Sequence, residues 1–203
     1  MVYSLVIGIL VSYFLGNLNG AVLISAMMHD DVRSHGSGNA GLTNFIRNFG
    51  VGSALYVILI DAGKAVLSCL VCGLLLEPYE MGAAGAALGG LAAMLGHVFP
   101  ALLGFKGGKG ILSGFFVALM LDWRIALVIL AVFAIAYGVT KFVSLGSVLG
   151  AATFGIAFAV LHYDDVIVMI SGIVMALLTI YMHRENILRL LKGQERKTNL
   201  FKK

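Results

Sequence analysis

The chain has 203 residues, of which 60% are hydrophobic and 12% charged, with a mean hydropathy of +0.99; soluble domains carry about a quarter charged residues. One small soluble core would leave most of this apolar surface facing water, and the apolar runs are two to three times longer than the roughly ten-residue alternating strands of an outer-membrane barrel. Soluble domain, barrel and disordered chain are thereby excluded, and a helical membrane protein remains.

A spanning helix needs about 20 mostly apolar residues, and cutting the sequence at its charged and turn-forming clusters predicts seven segments. The first runs from Val2 to Met28. No Lys or Arg precedes its apolar stretch, so it lacks a signal peptide's n-region and reads as a retained span. The second, Val51 to Leu76, carries Cys69 and Cys72; without electropositive surroundings these thiols read as small packing residues rather than a redox pair. It also holds Asp61 and Lys64, three residues apart on one helix face. Ionisable groups at this depth are costly, and the pair reads either as structural support inside the bundle or as part of a proton or substrate path.

The third segment runs from Gly82 to Leu103. The fourth, Ile111 to Leu121, falls short of the lower limit of about 17 residues, so a re-entrant segment is the alternative to a span. Ile125 to Thr140, Val143 to Leu161 and Val166 to Met182 complete the set. Many glycines sit at small-xxx-small spacing, as Gly85 and Gly89 or Gly146 and Gly150 do, which lets helices pack closely in lipid. With no internal repeat and no long linker, residues 1–203 read as a single membrane domain, an all-α bundle of seven transmembrane helices.

Lys and Arg in short loops mark the cytoplasmic side. Alternating the loops gives one side Arg33, Arg47, Lys106, Lys109, Lys141 and the seven cations from Arg184 to Lys203, twelve of the fourteen in the chain. The other side keeps Arg124 among the acids Glu77, Glu80, Asp122, Asp164 and Asp165. The expectation is an N-terminus outside, a C-terminus in the cytoplasm, and a net charge of +4 that reports topology rather than nucleic-acid binding.

Three polar clusters fall on the cation-rich side. The loop from Arg33 to Arg47 is polar and glycine-rich, with Ser37, Asn39, Thr43 and Asn44 between glycines. It is longer than a helix connection needs, which marks a binding surface. Gly104 to Gly110 offers Lys106 and Lys109 with the backbone of Gly107, Gly108 and Gly110 ahead of a helix; glycine N–H groups, lysine charge and a helix N-terminus together suit a phosphate. At the end of the last segment His183 and Asn186 are three apart and share a face, and histidine is the usual general base near neutral pH. The exterior His162, and His97 near the end of the third segment, read as structural or solvent-facing, and no group of residues has metal-site spacing.

The segments G-S-G-N-x-G-x-T-N leading to Arg47, G-F-K-G-G-K-G, and H-R-E-N stand in the order and between the helices found in a known family, with L-G-H-x-F-P before the second. The chain resembles, over essentially its whole length, the bacterial membrane-embedded glycerol-3-phosphate acyltransferases that use acyl phosphate, the PlsY family. The resemblance implies transfer of a fatty acyl group from acyl phosphate to the 1-hydroxyl of sn-glycerol 3-phosphate. The products would be lysophosphatidate and phosphate, in the first committed step of phospholipid synthesis. It implies the bacterial inner membrane, an active site facing the cytoplasm, and no cofactor, metal or obligate protein partner. It places Ser37 and Arg47 in the first motif, the Gly/Lys turn in a phosphate-binding second, and His183 and Asn186 at the active centre with Glu185 holding structure.

The residues suit that chemistry. Arg47, Lys106 and Lys109 can gather two anionic phosphates, and either His183, oriented by Asn186, or a phosphate oxygen of the substrate can take the hydroxyl proton. Ser37 reads as a catalytic-site phosphate ligand in a direct transfer; as a nucleophile it lacks an evident Asp-His-Ser arrangement. The rival reading is a transporter of a phosphorylated solute, with Asp61 and Lys64 on its path, but that class favours a midplane site and internal repeats. A scaffold binding anionic lipid through the basic tail leaves the Gly/Lys turn unexplained.

Overall fold

Runs of Leu, Ile, Val, Ala and Gly let a helix satisfy its backbone internally, as lipid requires, and Pro78 and Pro100 are confined to the turns after two such helices. In the computed structural model, which describes residues 1–198, all regular structure among the described residues is helical. Lys202 and Lys203 of the basic tail lie outside the described residues. The helices are α1 (Val2–Gly16), α2 (Gly20–Met27), α3 (Leu42–Phe49), α4 (Ala54–Leu76), α5 (Gly82–Val98), α6 (Ile111–Leu121), α7 (Trp123–Thr140), α8 (Val143–Leu161), α9 (Val166–Met182) and α10 (Arg184–Leu191).

Four helices among the described residues are long and apolar enough to cross a membrane alone, and six if the bent pairs α1–α2 and α9–α10 each make one span. The shorter α6 is apolar but spans only 11 residues. The stretch expected as one helix from Val2 to Met28 is broken, with a 43° bend between α1 and α2. Asn19 causes the restart: its side chain accepts a hydrogen bond from Val22 N (3.0 Å), capping α2. The break frees backbone groups that would be costly in lipid, and the buried pair on α4 takes them up. Lys64 Nζ donates to Leu18 O (2.7 Å) and to Asp61 Oδ1 (2.8 Å), while Gly20 N donates to Asp61 Oδ1 (3.2 Å).

Helices α4 and α5 pack with their backbones in close approach. A Cβ on Gly85 would lie 2.5 Å from Cys72 O, and one on Gly89 2.3 Å from Ser68 O, so the small-residue spacing does mark a backbone-to-backbone seam. An apolar core around Phe158, Met175, Ile125 and Phe154 draws on every helix from α4 to α9. The end of the polar loop differs from a plain connector. Leu42–Phe49 is a short amphipathic helix that buries Phe45 completely and stacks it on Phe49, and Arg47 stands in its last turn. At the opposite side of α6, Asp122 caps α7 and holds Arg124, the single cation sorted to that side, at 2.7 Å.

The seam gives a direct prediction. Gly89→Ala must push α5 away from α4 backbone and should lower the thermal midpoint in detergent by several degrees, whereas Gly63→Ala, with nothing within 4 Å of its added Cβ, should be neutral or stabilising by up to about 1 kcal/mol. Equal midpoints for the two variants would refute the seam.

Candidate active site

The three polar clusters, far apart in sequence, meet around one cavity of about 1190 Å³. The loop before α3 contributes Ser37 and Asn39, and α3 itself Thr43, Asn44 and Arg47; the turn before α6 contributes Lys106, Gly107, Lys109 and Gly110; the α9–α10 corner contributes His183, Glu185 and Asn186. From this polar end the cavity continues along an apolar wall made by Phe115 and Phe116 of α6, Ile129 and Phe133 of α7, and Gly146, Gly150 and Phe154 of α8.

Each cluster is held by identifiable bonds. Asn44 is buried and its amide is spent on the loop: Nδ2 donates to Val32 O (3.0 Å), His35 O (3.0 Å) and Asn39 O (3.1 Å), and Oδ1 accepts from Ser37 N (3.1 Å). The sequence pattern puts it among the phosphate ligands, but its polar atoms instead fold the loop that presents Ser37. Ser37 is exposed at the cavity, and among the described residues its hydroxyl makes no hydrogen bond to an imidazole.

The turn before α6 is tied down from beneath. Asn17 Oδ1 accepts from Leu102 N (3.0 Å), and Asn19 Nδ2 donates to Ala40 O (2.9 Å), so the break in the first helix pair grips both the turn and the polar loop. Gly108 N donates to His97 O (3.1 Å). The expectation that Gly108 offers its N–H to an anion is corrected by this bond and by its absence from the cavity wall. Glycine is needed there for closeness, since a Cβ would lie 2.2 Å from His97 Nε2 and 2.8 Å from Ala40 O.

At the α9–α10 corner, bent by 55°, His183 is buried and its Nδ1 lies 2.8 Å from Thr179 O. A carbonyl only accepts, so Nδ1 carries the proton and Nε2 the lone pair. Burial and the nearby Lys109 charge push this first residue beyond α9 down to about 4 despite the Thr179 bond, which keeps the ring neutral at pH 7. Thr179, not Asn186, therefore orients the imidazole. Asn186 instead bridges two other side chains, accepting from Lys109 Nζ at Oδ1 and donating from Nδ2 to Glu195 (2.8 Å).

Glu195 is the residue that no motif singled out. Its side chain is 6% exposed, and it accepts from Asn186, from Ser144 Oγ (2.9 Å) and from Arg189 Nε (2.8 Å). Burial alone would raise its carboxyl, but the donors from Arg189, Asn186 and Ser144 outweigh that and hold it below the ordinary glutamate value. Glu185, expected to hold the structure, is instead 73% exposed at the cavity and lies 3.9 Å from Arg189; its exposure corrects that expectation, and Glu195 is the carboxylate that ties this corner together. Arg47 also donates to Thr198 Oγ1, and Tyr137 OH donates to Thr198 O (3.1 Å), so the chain after α10 folds back over the cation cluster.

Against known proteins, residues 6–193 match the family model described as glycerol-3-phosphate acyltransferase. The chain belongs to that family. A glycerol-3-phosphate acyltransferase of Finegoldia magna is 38% identical over 196 residues, covering 96% of both chains. One from Prochlorococcus marinus strain MIT 9312 is 40% identical over 194 residues, covering 94% of this chain and 96% of the relative. Among solved structures, the glycerol 3-phosphate form of the integral membrane acyltransferase PlsY (YgiH) superposes with a TM-score of 0.86 at 31% identity, covering 98% of this chain and all of that one. Its lysophosphatidic acid form gives 0.83 at the same identity. This acyltransferase is thus an enzyme with the integral membrane PlsY fold.

The tie through Glu195 is testable. Each charge-assisted bond to a buried carboxylate is worth about 1.5–3 kcal/mol, so Glu195→Ala should release the segment after α10 and speed tryptic cleavage at the exposed Arg196 and Lys197 about tenfold or more. The wild type should show the same release on acidification, because a carboxyl held low contributes its stability above its unfolded value and loses it as pH falls through the folded one. Cleavage at the wild-type rate in the variant would show that Glu195 holds nothing.

Proposed function

We propose that this acyltransferase moves a fatty acyl group from acyl phosphate directly to the 1-hydroxyl of sn-glycerol 3-phosphate, giving lysophosphatidate and inorganic phosphate. The observation that carries the reading is the single cavity whose polar end gathers Arg47, Lys106, Lys109 and Arg189 while its apolar wall runs between α6, α7 and α8. An acyl chain fits the wall and a phosphate the cationic end, so both parts of the donor find matching surroundings. The relatives' shared description supplies the acceptor.

Acyl phosphate is a mixed anhydride with an electrophilic carbonyl. The hydroxyl oxygen attacks that carbon, the carbon–oxygen bond to phosphate breaks, and phosphate leaves with the electron pair. His183 Nε2, bearing the free lone pair, takes the hydroxyl proton. Arg47, Lys106 and Lys109 offset the repulsion of two phosphates, Arg through its bidentate fork, and positioning with charge stabilisation supplies most of the rate. Ser37 serves as a phosphate ligand, with Asn39 and Thr43 beside it, and no acyl-enzyme forms.

The chain completes seven spans in the bacterial inner membrane, with α6 as the short one, the N-terminus outside and the site facing the cytoplasm. The sorting of basic residues supports this orientation. A soluble acceptor then arrives from the cytoplasm and the acyl product stays in the bilayer. No cofactor, metal or protein partner enters the scheme.

The purified enzyme in detergent, given acyl phosphate and glycerol 3-phosphate without metal or coenzyme A, should release phosphate and form lysophosphatidate. No release would end the proposal, and solute flux in liposomes would support a transporter. His183→Ala should lower turnover at least 100-fold; a near-normal rate would make the substrate's own phosphate the base. Mass spectrometry should find no acyl group on Ser37 during turnover.

A pH prediction follows from Lys109, whose ammonium is pushed below its ordinary value by burial and then by Arg189. It loses its charge at lower pH than a free lysine, so kcat/KM should fall on the alkaline side earlier than 10.5 would dictate, and Lys109→Arg, always charged, should move that limb to higher pH. Superposable alkaline limbs would remove Lys109 from phosphate binding.

A further inference from the structure

The ion pair at the helix break has a third member. Lys64 Nζ, besides reaching Leu18 O and Asp61 Oδ1, lies 2.7 Å from His97 Nδ1. Three N–H groups thus meet three partners. An ammonium has no acceptor, so Nδ1 must accept, and the neutral ring carries its proton on Nε2. Asp61 and Lys64 are 1–2% exposed and His97 4%, so the tautomer is set by a deeply buried network that meets the cavity at its edge.

The proton on Nε2 has nowhere to go inside the protein. Among the described residues no hydrogen bond reaches that atom, while His97 lines the wall of the cavity and Nε2 packs against Gly108, between the wall residues Gly107 and Lys109. An N–H on a nine-tenths buried side chain with no protein partner is left to water or a ligand in the cavity. A fixed donor beside two glycines and Lys109 fits an anionic oxygen and cannot accept from a hydroxyl.

We propose that His97 donates a hydrogen bond from Nε2 to a phosphate oxygen held at the Gly107–Lys109 turn, with Lys64 and Asp61 as positioning residues that lock its tautomer. This rests on the reading of the cavity as a site for phosphorylated substrates. The buried ion pair then serves the reaction as well as the fold, because its fixed charge determines which ring nitrogen faces the substrate. The phosphate concerned belongs either to the acyl donor or to glycerol 3-phosphate, and both share the chemistry the donor recognises.

The test is nitrogen NMR of the full-length, histidine-labelled enzyme in lipid, with the His97 signals assigned by their loss in His97→Gln. The resting enzyme should show Nε2 protonated and Nδ1 not. Titration with decylphosphonate, an unreactive stand-in for the acyl donor, and separately with glycerol 3-phosphate, should move the Nε2 signal with one of them and so name the source. Phosphorus NMR reports whether each ligand is bound. A proton on Nδ1, or an unmoved Nε2 signal with both ligands bound, overturns the proposal; failure of either ligand to bind overturns the phosphate reading itself. In turnover, His97→Phe should lose about 10²–10³-fold in kcat, and His97→Gln, which keeps an N–H near Nε2, should recover most of it. Equal losses in the two folded variants would reduce His97 to packing.

Discussion

A broken helix inside a membrane must find partners for the backbone groups it frees, and the arrangement of this enzyme follows from how that is done. Asp61 and Lys64 of α4 take the amide of Gly20 and the carbonyl of Leu18. The pair would be a liability alone, since taking two charges out of water can cost more than their mutual attraction returns unless further hydrogen bonds satisfy them. The break supplies the extra hydrogen bonds that such a pair requires. The break in turn supports the site: Asn17 and Asn19, at the two helix ends that meet there, use their side chains to hold the turn before α6 and the loop before α3.

That scaffold explains why three segments separated by some sixty to eighty residues converge. The cations gather where the bundle opens, and the chain supplies its own counter-charge through Glu195, whose carboxylate accepts from Asn186, Arg189 and Ser144. The cluster is therefore organised before any substrate arrives, which reduces the reorganisation left for the reaction. The long apolar wall beside it needs no such preparation, because side chains packed in lipid already present it.

The membrane class, most segment boundaries and the three clusters are legible in the sequence because each is local: apolar run length, glycine spacing, and polar residues crowded between helices. Asn19 followed by Gly20 is a readable cap signal inside the first segment, but the apolar run on both sides masks it. Phe45 and Phe49, four apart with Arg47 between them, carry the pattern of the short helix that lies within the polar loop. Other features cannot be read locally. Glu195 stands in a polar, charged tail with no periodicity, and its partners lie on α8 and α10. His97 meets Lys64 across 33 positions and two helices, a contact that only the fold creates. Glu185 and Glu195 are both acids near the same corner, and burial alone distinguishes the exposed one from the one that holds it.

An experimental structure of the enzyme with decylphosphonate bound tests most directly whether one cavity holds a phosphate at its cationic end and an alkyl chain along its apolar wall. The phosphonate should lie among Arg47, Lys109 and the Gly107 turn, with the chain running past Phe116 and Phe133 between α6 and α7. A phosphonate seated away from these residues, or a chain lying on the outer surface of the bundle with the cavity unused, would contradict the account.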